Sequence, residues 1–337
     1  MESALNALIL IGNYIAVPGL AYGCQLALGA LGVTMIYAVL RFSNFGHGEI
    51  MSFGTMLVIL ATFAIQSAGL SIAPLPTALL ALPVGIIGAI GLCLLLDRYV
   101  YKFYRQQRAS PVIYLIVSIG TMFIIGGLIR FIIGPQDRNF ADGERFIVKA
   151  SAFKANTGFS EGLAIKTAQG VTVLTTFAVV GLVFWFLNYT RTGKSMRAFA
   201  DNEDLALLSG IDPDRVVRIT WIITAVLAPL PRTLYGLDKN YKPLVYLHFF
   251  FPIFSAPIVG GVGNPLGAIA GGFVIAFSEL AITFAYKKVA GYLLGDGVLG
   301  DGLLQLLSTN YKFAVSFLIL VVVLLVKPTG IFSGKTL

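Results

Sequence analysis

Long apolar segments recur along the whole chain, and they constrain its fold more than any other feature of the sequence. A helix needs about 20 apolar residues to cross the hydrocarbon core of a bilayer, and lipid offers no partner for backbone amides outside a helix or a closed barrel. The segments are continuous rather than alternating, which excludes a membrane barrel. We therefore predict an all-α, polytopic integral membrane helix bundle of about 8–10 transmembrane helices, with broken or re-entrant segments. The candidate spans cover residues 19–40, 50–66, 75–96, 111–133, 170–187, 219–235, 245–259, 266–286 and 311–326.

The composition agrees with a membrane protein. Of 337 residues, 57% are hydrophobic and 12% are charged, whereas a soluble domain carries about 25% charged residues. The basic residues are scattered between apolar runs, which argues against a nucleic-acid partner. Cys24 and Cys93 lie within apolar runs, so we expect buried free thiols rather than a disulfide.

The first residues are separated from the first candidate span by Pro18-Gly19. The apolar run before this pair is short, and it lacks the basic start of a secretory signal. We therefore expect residues 4–17 to form an interfacial or partly inserted helix rather than a full span.

Charged loops indicate an orientation. Residues 97–110 hold a high density of basic residues, which predicts a cytoplasmic loop, and the thinner density of residues 134–169 predicts an extracytoplasmic one. Alternation then places residues 188–218 and the C-terminus in the cytoplasm. Against this orientation, four lysines fall on the predicted outer side: Lys239, Lys242, Lys287 and Lys288.

A polar stretch, "RFSNFGHGEI" (41–50), interrupts two apolar runs. Its glycines permit a turn. Asn44, His47 and Glu49 are predicted to cap helix ends and bond one another, or alternatively to contact substrate. A metal site is disfavoured because His47 and Glu49 are two residues apart, off a common helical face. Glu279, inside a predicted span, is a functional candidate, a member of a structural ion pair or a protonated hydrogen-bond donor.

Glycines at four-residue spacing predict a helix-packing face. Gly263, Gly267 and Gly271 recur in "GVGNPLGAIAGG". Such spacing lets helix backbones approach closely in lipid.

The charged loop 188–218 contains a predicted helix from Ser195 to Ser209, because apolar residues recur there at near-helical spacing. Gly210 is predicted to end this helix. A short amphipathic helix of this kind docks into a groove of a partner or lies on lipid headgroups.

The same loop carries a family resemblance. "TGKSMRAFADNEDLALLSGID" resembles the coupling-helix segment of bacterial ABC-transporter permeases, in particular those of branched-chain amino acid importers. Ala206 and Gly210 match the core of the Ala-x3-Gly motif that inserts into the ATPase subunit, and Asp204 stands where many relatives have glutamate. "ALGALGVTMIYAVLRFSNFGHGEI" is similar to the family's first long helix with its Asn-Phe-(small)-His-Gly-Glu signature. "IVGGVGNPLGAIAGG" and "KPTGIF" extend the resemblance to residue 332.

The resemblance implies a permease subunit of a binding-protein-dependent importer, with residues 1–337 as a single transmembrane domain in the bacterial inner membrane. The implied partners are a second permease, two cytoplasmic ATP-binding subunits and a periplasmic substrate-binding protein. Residues 134–169 would lie outside, and residues 188–218 would form the cytoplasmic coupling loop. The implied ATPase contacts are Arg197, Asp204, Ala206, Leu208 and Gly210, and the pathway or gate candidates are Asn44, His47, Glu49 and Glu279.

The chain itself is predicted to have no catalytic site, cofactor or metal. The tail "GIFSGKTL" imitates a nucleotide-binding loop, but Gly330 and Gly334 have three residues between them where that loop needs four. ATP hydrolysis is therefore assigned to partner subunits. Two alternatives stay open: a permease for urea or short amides in the same family, and an ion-coupled transporter or channel that uses Glu49 and Glu279. An intramembrane enzyme lacks any convincing set of nucleophile, base or metal ligands.

One stretch departs from the family. "APLPRTLYG" (228–236) places Pro229, Pro231 and Arg232 where the family is small and apolar. We expect the prolines to distort the helix and Arg232 to need a partner or a route to the interface.

Overall fold

The fold is all-α, as predicted, in a computed structural model that describes residues 2–70, 75–140, 145–239, 241, 246–294 and 304–332. Within these residues, seven helical stretches are long and apolar enough to cross a membrane, and two shorter apolar helices accompany them. In chain order the elements are α1 (Glu2–Leu40), α2 (His47–Ser67), α3 (Ala78–Gln106), α4 (Pro111–Ile133), β1 (Phe146–Val148), α5 (Ala150–Thr157), β2 (Ile165–Lys166), α6 (Thr167–Tyr189), α7 (Arg191–Asp201), α8 (Glu203–Leu208), α9 (Pro213–Leu227), α10 (Pro229–Asp238), α11 (Tyr246–Gly260), α12 (Pro265–Thr283), α13 (Lys287–Leu294) and α14 (Lys312–Val326).

Residues 4–17 are helical, as expected, but they continue without a break into the first span. α1 is unbroken for 39 residues. A π-helical segment, Gly12–Ala16, lies just before Pro18, which occupies the first turn of the α-helical part that follows. Proline is tolerated in a first turn because its missing N–H has no intrahelical partner there.

α1 forms the centre of the bundle, and α12 packs along it in the antiparallel direction. Gly23 lies against the Phe273 ring, while a Cβ at Gly272 would lie 2.8 Å from the Ala27 amide nitrogen. The start of α12 therefore lies level with the C-terminal end of α1. Cys24 and Cys93 are buried free thiols, as predicted.

The two ends of the bundle differ. We call the end that holds Leu40, α7 and α8 the coupling end. At the opposite end, residues 161–164 contact the N-terminal part of α1 and α13: Ala164 N donates to Asn13 Oδ1 at 3.0 Å, and Tyr292 Oη on α13 donates to Glu161 Oε1 at 3.0 Å. The last described residues return to the coupling end, where Ile331 N donates to the Val259 carbonyl at 2.8 Å. Gly334 lies outside the described residues.

Prolines interrupt the sixth long span, as the sequence predicted. α9 ends at Leu227, and α10 begins at Pro229 after a one-residue turn at Ala228. Thr55 on α2 contacts this break, because its hydroxyl donates to the Pro229 carbonyl at 3.3 Å.

Candidate functional site

The predicted coupling segment forms two helices, so the single helix predicted over Ser195–Ser209 is wrong. Asn202 has extended backbone dihedral angles between α7 and α8, and its Oδ1 accepts a hydrogen bond from Leu205 N at 3.1 Å. An asparagine that caps a new helix in this way ends the preceding one. The sequence signal was present, since asparagine is among the strongest N-cap residues.

Gly210 ends α8, as predicted. Its φ of +79° is in the left-handed region, where glycine has no Cβ penalty. Ile211 N donates to the Ala206 carbonyl and Gly210 N to the Leu207 carbonyl, both at 3.0 Å. This is the Schellman arrangement, which satisfies the last carbonyls of a helix.

Ala206 and Leu208 point in different directions. Ala206 is only 3% exposed and packs into the core, whereas Leu208 is 85% exposed. Ala206, for which the resemblance implies an ATPase contact, is thus buried in this chain, because α8 docks on the bundle through this small side chain. Leu205 and Leu207 are exposed beside Leu208, so α8 presents an apolar surface at the coupling end.

The two charged coupling candidates lie on α7 and α8. Asp204 is exposed on α8. Arg197 on α7 is half-buried, and its Nε has no hydrogen-bond partner among the described residues.

Two contacts tie the coupling segment to the membrane helices. Arg41, at the end of α1, donates from Nη2 to the Ala200 carbonyl on α7. On the other side of the segment, Asp214 at the start of α9 pairs with Lys102 Nζ at 3.3 Å and with Arg105 Nη2 at 3.3 Å. The first contact joins α7 to the end of α1, and the second joins the start of α9, just after the coupling segment, to α3.

The polar break between α1 and α2 lies immediately after Arg41. Asn44 Oδ1 accepts from Gly46 N at 3.0 Å and from Tyr101 Oη at 3.2 Å, and Tyr101 Oη lies 3.3 Å from Thr121 Oγ1. A buried side-chain network therefore joins the break to α3 and α4. Neither Tyr101 nor Thr121 was predicted as a site residue, because Tyr101 lies in the basic stretch expected to be a loop and Thr121 in an apolar run.

The predicted mutual hydrogen bonding of the three polar side chains is wrong. Asn44 and His47 are joined through their backbones, with His47 N donating to the Asn44 carbonyl at 3.1 Å. The buried His47 ring packs on Gly32, and within the described part of the chain neither ring nitrogen is hydrogen-bonded. The Gly29 backbone lies near the ring, outside hydrogen-bonding geometry.

Glu49 lies inside the bundle among cationic and aromatic groups. A Cβ added at Gly126 on α4 would lie 3.3 Å from the Glu49 carboxylate, so this glycine makes room for it. The charges of Arg232 and Arg130 act on that carboxylate. Arg232 is buried and lies 5.4 Å from the centroid of the Tyr241 ring. The need for a partner, inferred from sequence, is thus met within the bundle.

Tyr241 connects this group to α2. Its hydroxyl donates to the Ser52 carbonyl on α2 at 3.2 Å. Burial raises the pKa of Tyr241 to about 12. The charge of Arg232 lowers this pKa, and the charge of Glu49 raises it.

Glu279 forms a buried ion pair with a residue that the sequence analysis did not single out. Its Oε2 lies 3.8 Å from Lys312 Nζ, and its Oε1 accepts from Ser316 Oγ. Lys312 Nζ also lies 4.0 Å from the centroid of the Tyr22 ring. Lys312 could have been found, since a charged residue at an apolar run is a functional candidate by the same rule that selected Glu279.

The glycine-packing prediction holds for two of its three residues. A Cβ at Gly267 would overlap the Gly260 carbonyl oxygen, and one at Gly271 would overlap the Ala256 carbonyl oxygen, so α12 packs backbone against backbone on α11. Gly263 precedes the helix and has a φ of +85° in the turn before it, so it is not on the packing face. Among the described residues, no group of three or more His, Cys, Asp or Glu side chains is placed to hold a metal ion.

Comparisons with known proteins support the resemblance read from the sequence. Residues 15–324 match the family described as "Branched-chain amino acid transport system / permease component". The high-affinity branched-chain amino acid transport system permease protein LivH of Escherichia coli K12 is 30% identical over 322 residues, covering 93% of this chain and 92% of LivH. The corresponding protein BraD of Pseudomonas aeruginosa is 28% identical, covering 94% of each chain. The fructose import permease protein FruG of Bifidobacterium longum is 27% identical over 73% of this chain and 63% of FruG.

Proposed function

The chain belongs to the family of permease components of branched-chain amino acid transport systems, and from this premise we propose that it forms the translocation pathway for branched-chain amino acids in an ABC importer. It is a multi-pass inner-membrane protein. The observation that carries the proposal is the family match over residues 15–324 together with the exposed apolar surface of α8 at one end of the bundle.

The partners follow from the family. We propose a second permease subunit, two ATP-binding subunits at the coupling end and a substrate-binding protein at the opposite end. In this arrangement the coupling end, with the chain's C-terminus, faces the cytoplasm, and the 134–169 loop faces the periplasm. The whole chain acts as one transmembrane domain, and the ATP-binding subunits hydrolyse ATP.

The coupling step is assigned to α8. Leu205, Leu207 and Leu208 would insert into a groove of the ATP-binding subunit, while Asp204 and Arg197 flank the contact and Gly210 allows close approach. Ala206 fixes α8 to the bundle from the inside. Closure of the ATP-binding dimer then moves α7, and the Arg41–Ala200 hydrogen bond passes this motion to the end of α1 and the Asn44 break. Such coupling requires contacts that differ between the two states of the permease.

The test replaces an exposed leucine with glutamate. Leu208→Glu places a charge in the proposed contact without disturbing the core, since its side chain is 85% exposed. We expect loss of co-purified ATP-binding subunits and of ATP-dependent leucine uptake in proteoliposomes. Leu293→Glu is the matched control for co-purification of the ATP-binding subunits, because Leu293 is 61% exposed at the opposite end, away from the proposed contact. Normal uptake by Leu208→Glu would contradict the coupling assignment.

The substrate is tested in the same proteoliposomes with the parent chain and its partners. We expect uptake of leucine, isoleucine and valine to compete with one another, and ribose, fructose and urea not to compete. Uptake of a sugar or an amide in place of the amino acids would contradict the substrate and leave the family membership intact.

An ion-coupled mechanism is the second candidate. The buried carboxylates of Glu49 and Glu279 favour it, because intramembrane carboxylates often carry coupling ions. It predicts uphill uptake without ATP-binding subunits, driven by an imposed ion gradient.

A further inference from the structure

A basic cavity opens between α3 and α9 near the coupling end, with a volume of about 520 Å³. Two carboxylates and four cationic side chains line it, leaving two positive charges in excess. The charged lining residues are Asp97, Asp214, Arg98, Lys102, Arg105 and Arg218.

The ion pairs inside the cavity identify the available cations. Arg105 Nη1 pairs with Asp97 at 2.9 Å, and Asp214 pairs with both Lys102 and Arg105. Arg98 and Arg218 are exposed, and neither forms an ion pair with a carboxylate in the described part of the chain. Two guanidinium groups therefore face the cavity with their charge unneutralised.

The side chains around the cavity are of the kinds found at the level of lipid headgroups. Leu94 forms part of its wall, and Leu95, Tyr99 and Phe103 are exposed on the same helix. Exposed aromatic side chains next to arginines are typical of the boundary between hydrocarbon and water.

An apolar groove begins one helical turn further into the bundle. Ile222 lies four residues beyond Arg218 on α9, so the two side chains share a face. The groove has a volume of about 240 Å³ between α6 and α9, and all its lining residues are apolar: Val179, Leu182, Val183, Phe186, Ile222, Ile223, Val226 and Leu227. From Arg218 to Val226 the helix rises about 12 Å.

We propose that this cavity and groove together bind an anionic phospholipid, with the phosphate held by Arg98 and Arg218 and one acyl chain along α9. Guanidinium groups match phosphate oxygens in geometry and charge, and basic pockets between transmembrane helices bind anionic headgroups. The apolar groove favours a lipid over free phosphate as the ligand, because free phosphate has no acyl chain to occupy it. Because Lys102 and Arg105 also hold Asp214, the bound lipid would stiffen the junction between α3 and the segment that follows α8.

The test measures lipid retention by the purified full chain. Native mass spectrometry, after mixing with micelles that contain phosphatidylglycerol or phosphatidylcholine, gives the bound fraction of each lipid. We expect the parent to prefer phosphatidylglycerol, and Arg98→Gln/Arg218→Gln to weaken its binding at least tenfold. Arg191→Gln/Lys194→Gln removes the same charge from exposed residues at the same end but outside the cavity, and we expect it to bind like the parent.

Two further arms separate the alternatives. Competition with inorganic phosphate should fail to displace long-chain phosphatidylglycerol, and dihexanoyl phosphatidylglycerol should bind more weakly than the long-chain lipid. Equal retention by the two double variants, or loss of the lipid when ATP-binding subunits are added, would overturn the proposal; the second result would assign the cavity to a protein interface. Circular dichroism of both variants checks that the helices are intact. None of these outcomes alters the permease assignment.

Discussion

Gly271 gives the sharpest test of the packing between α11 and α12. Its neighbour is the Ala256 carbonyl oxygen, a backbone atom, so an added methyl group cannot be relieved by a change of rotamer. Overpacking of a core costs about 1–3 kcal/mol. Replacing glycine with alanine in a helix also has a favourable term of up to about 1 kcal/mol, so the net effect of Gly271→Ala depends on both.

The same substitution at a second glycine serves as the control, because it carries the same change in helix propensity. Gly181 lies within α6 and is exposed, and a Cβ added there would meet no atom within 4 Å. Gly181→Ala should therefore keep or raise stability. The difference between the two variants isolates the steric cost, which we expect to be about 1–3 kcal/mol, or roughly 5- to 150-fold in the unfolding equilibrium constant.

The assay is unfolding of the full chain in lipid-containing micelles, titrated with sodium dodecyl sulfate and followed by the fluorescence of Trp185 and Trp221. Gly267→Leu, in which a larger side chain meets the Gly260 backbone, should be worse than Gly271→Ala and should reduce assembly. Equal stability of Gly271→Ala and Gly181→Ala would refute the backbone-to-backbone packing.

Three other predictions concern the buried polar groups. Lys312→Met leaves the Glu279 carboxylate buried without its cation and should cost about 3–5 kcal/mol in the same unfolding assay, whereas Glu279→Gln/Lys312→Met should cost less than the single change. In the importer, Glu49→Gln should reduce uptake but leave it ATP-dependent, with an unchanged pH profile between about pH 5.5 and 8.5. If the parent instead shows gradient-driven uptake without ATP, and the variant loses it, the ion-coupled mechanism is favoured. Asn44→Ala removes the acceptor of Tyr101 and should cost about 1–3 kcal/mol in unfolding free energy, and an unchanged stability would show that the break does not depend on this network.

The apolar segments predicted most of the fold because membrane spans are specified locally. Their length and continuity depend only on neighbouring residues and on the thickness of the bilayer. Gly210 was predictable for the same reason, since a glycine after an apolar pattern is a helix-ending signal. The continuity of α1 was missed because the π-helical segment that accommodates Pro18 leaves no clear pattern in the sequence.

Contacts between distant segments were beyond the sequence analysis. The burial of Ala206 depends on how α8 docks, which the spacing of apolar residues does not specify. The same holds for the hydrogen bond from Arg41 to α7 and for the network from Asn44 to Tyr101 and Thr121. Glu279 could be selected as a buried carboxylate, but its pairing with Lys312 needed the packing of α12 against α14.

The ion pair between α12 and α14 has a consequence for the synthesis of the protein. Glu279 precedes Lys312 by 33 residues, and at 5–20 residues per second the ribosome needs roughly 2–7 s to add them. A nascent chain that stalls before Lys312 lacks the cation of this pair. In such a chain α12 would have to keep the Glu279 carboxyl group protonated or hold it near water.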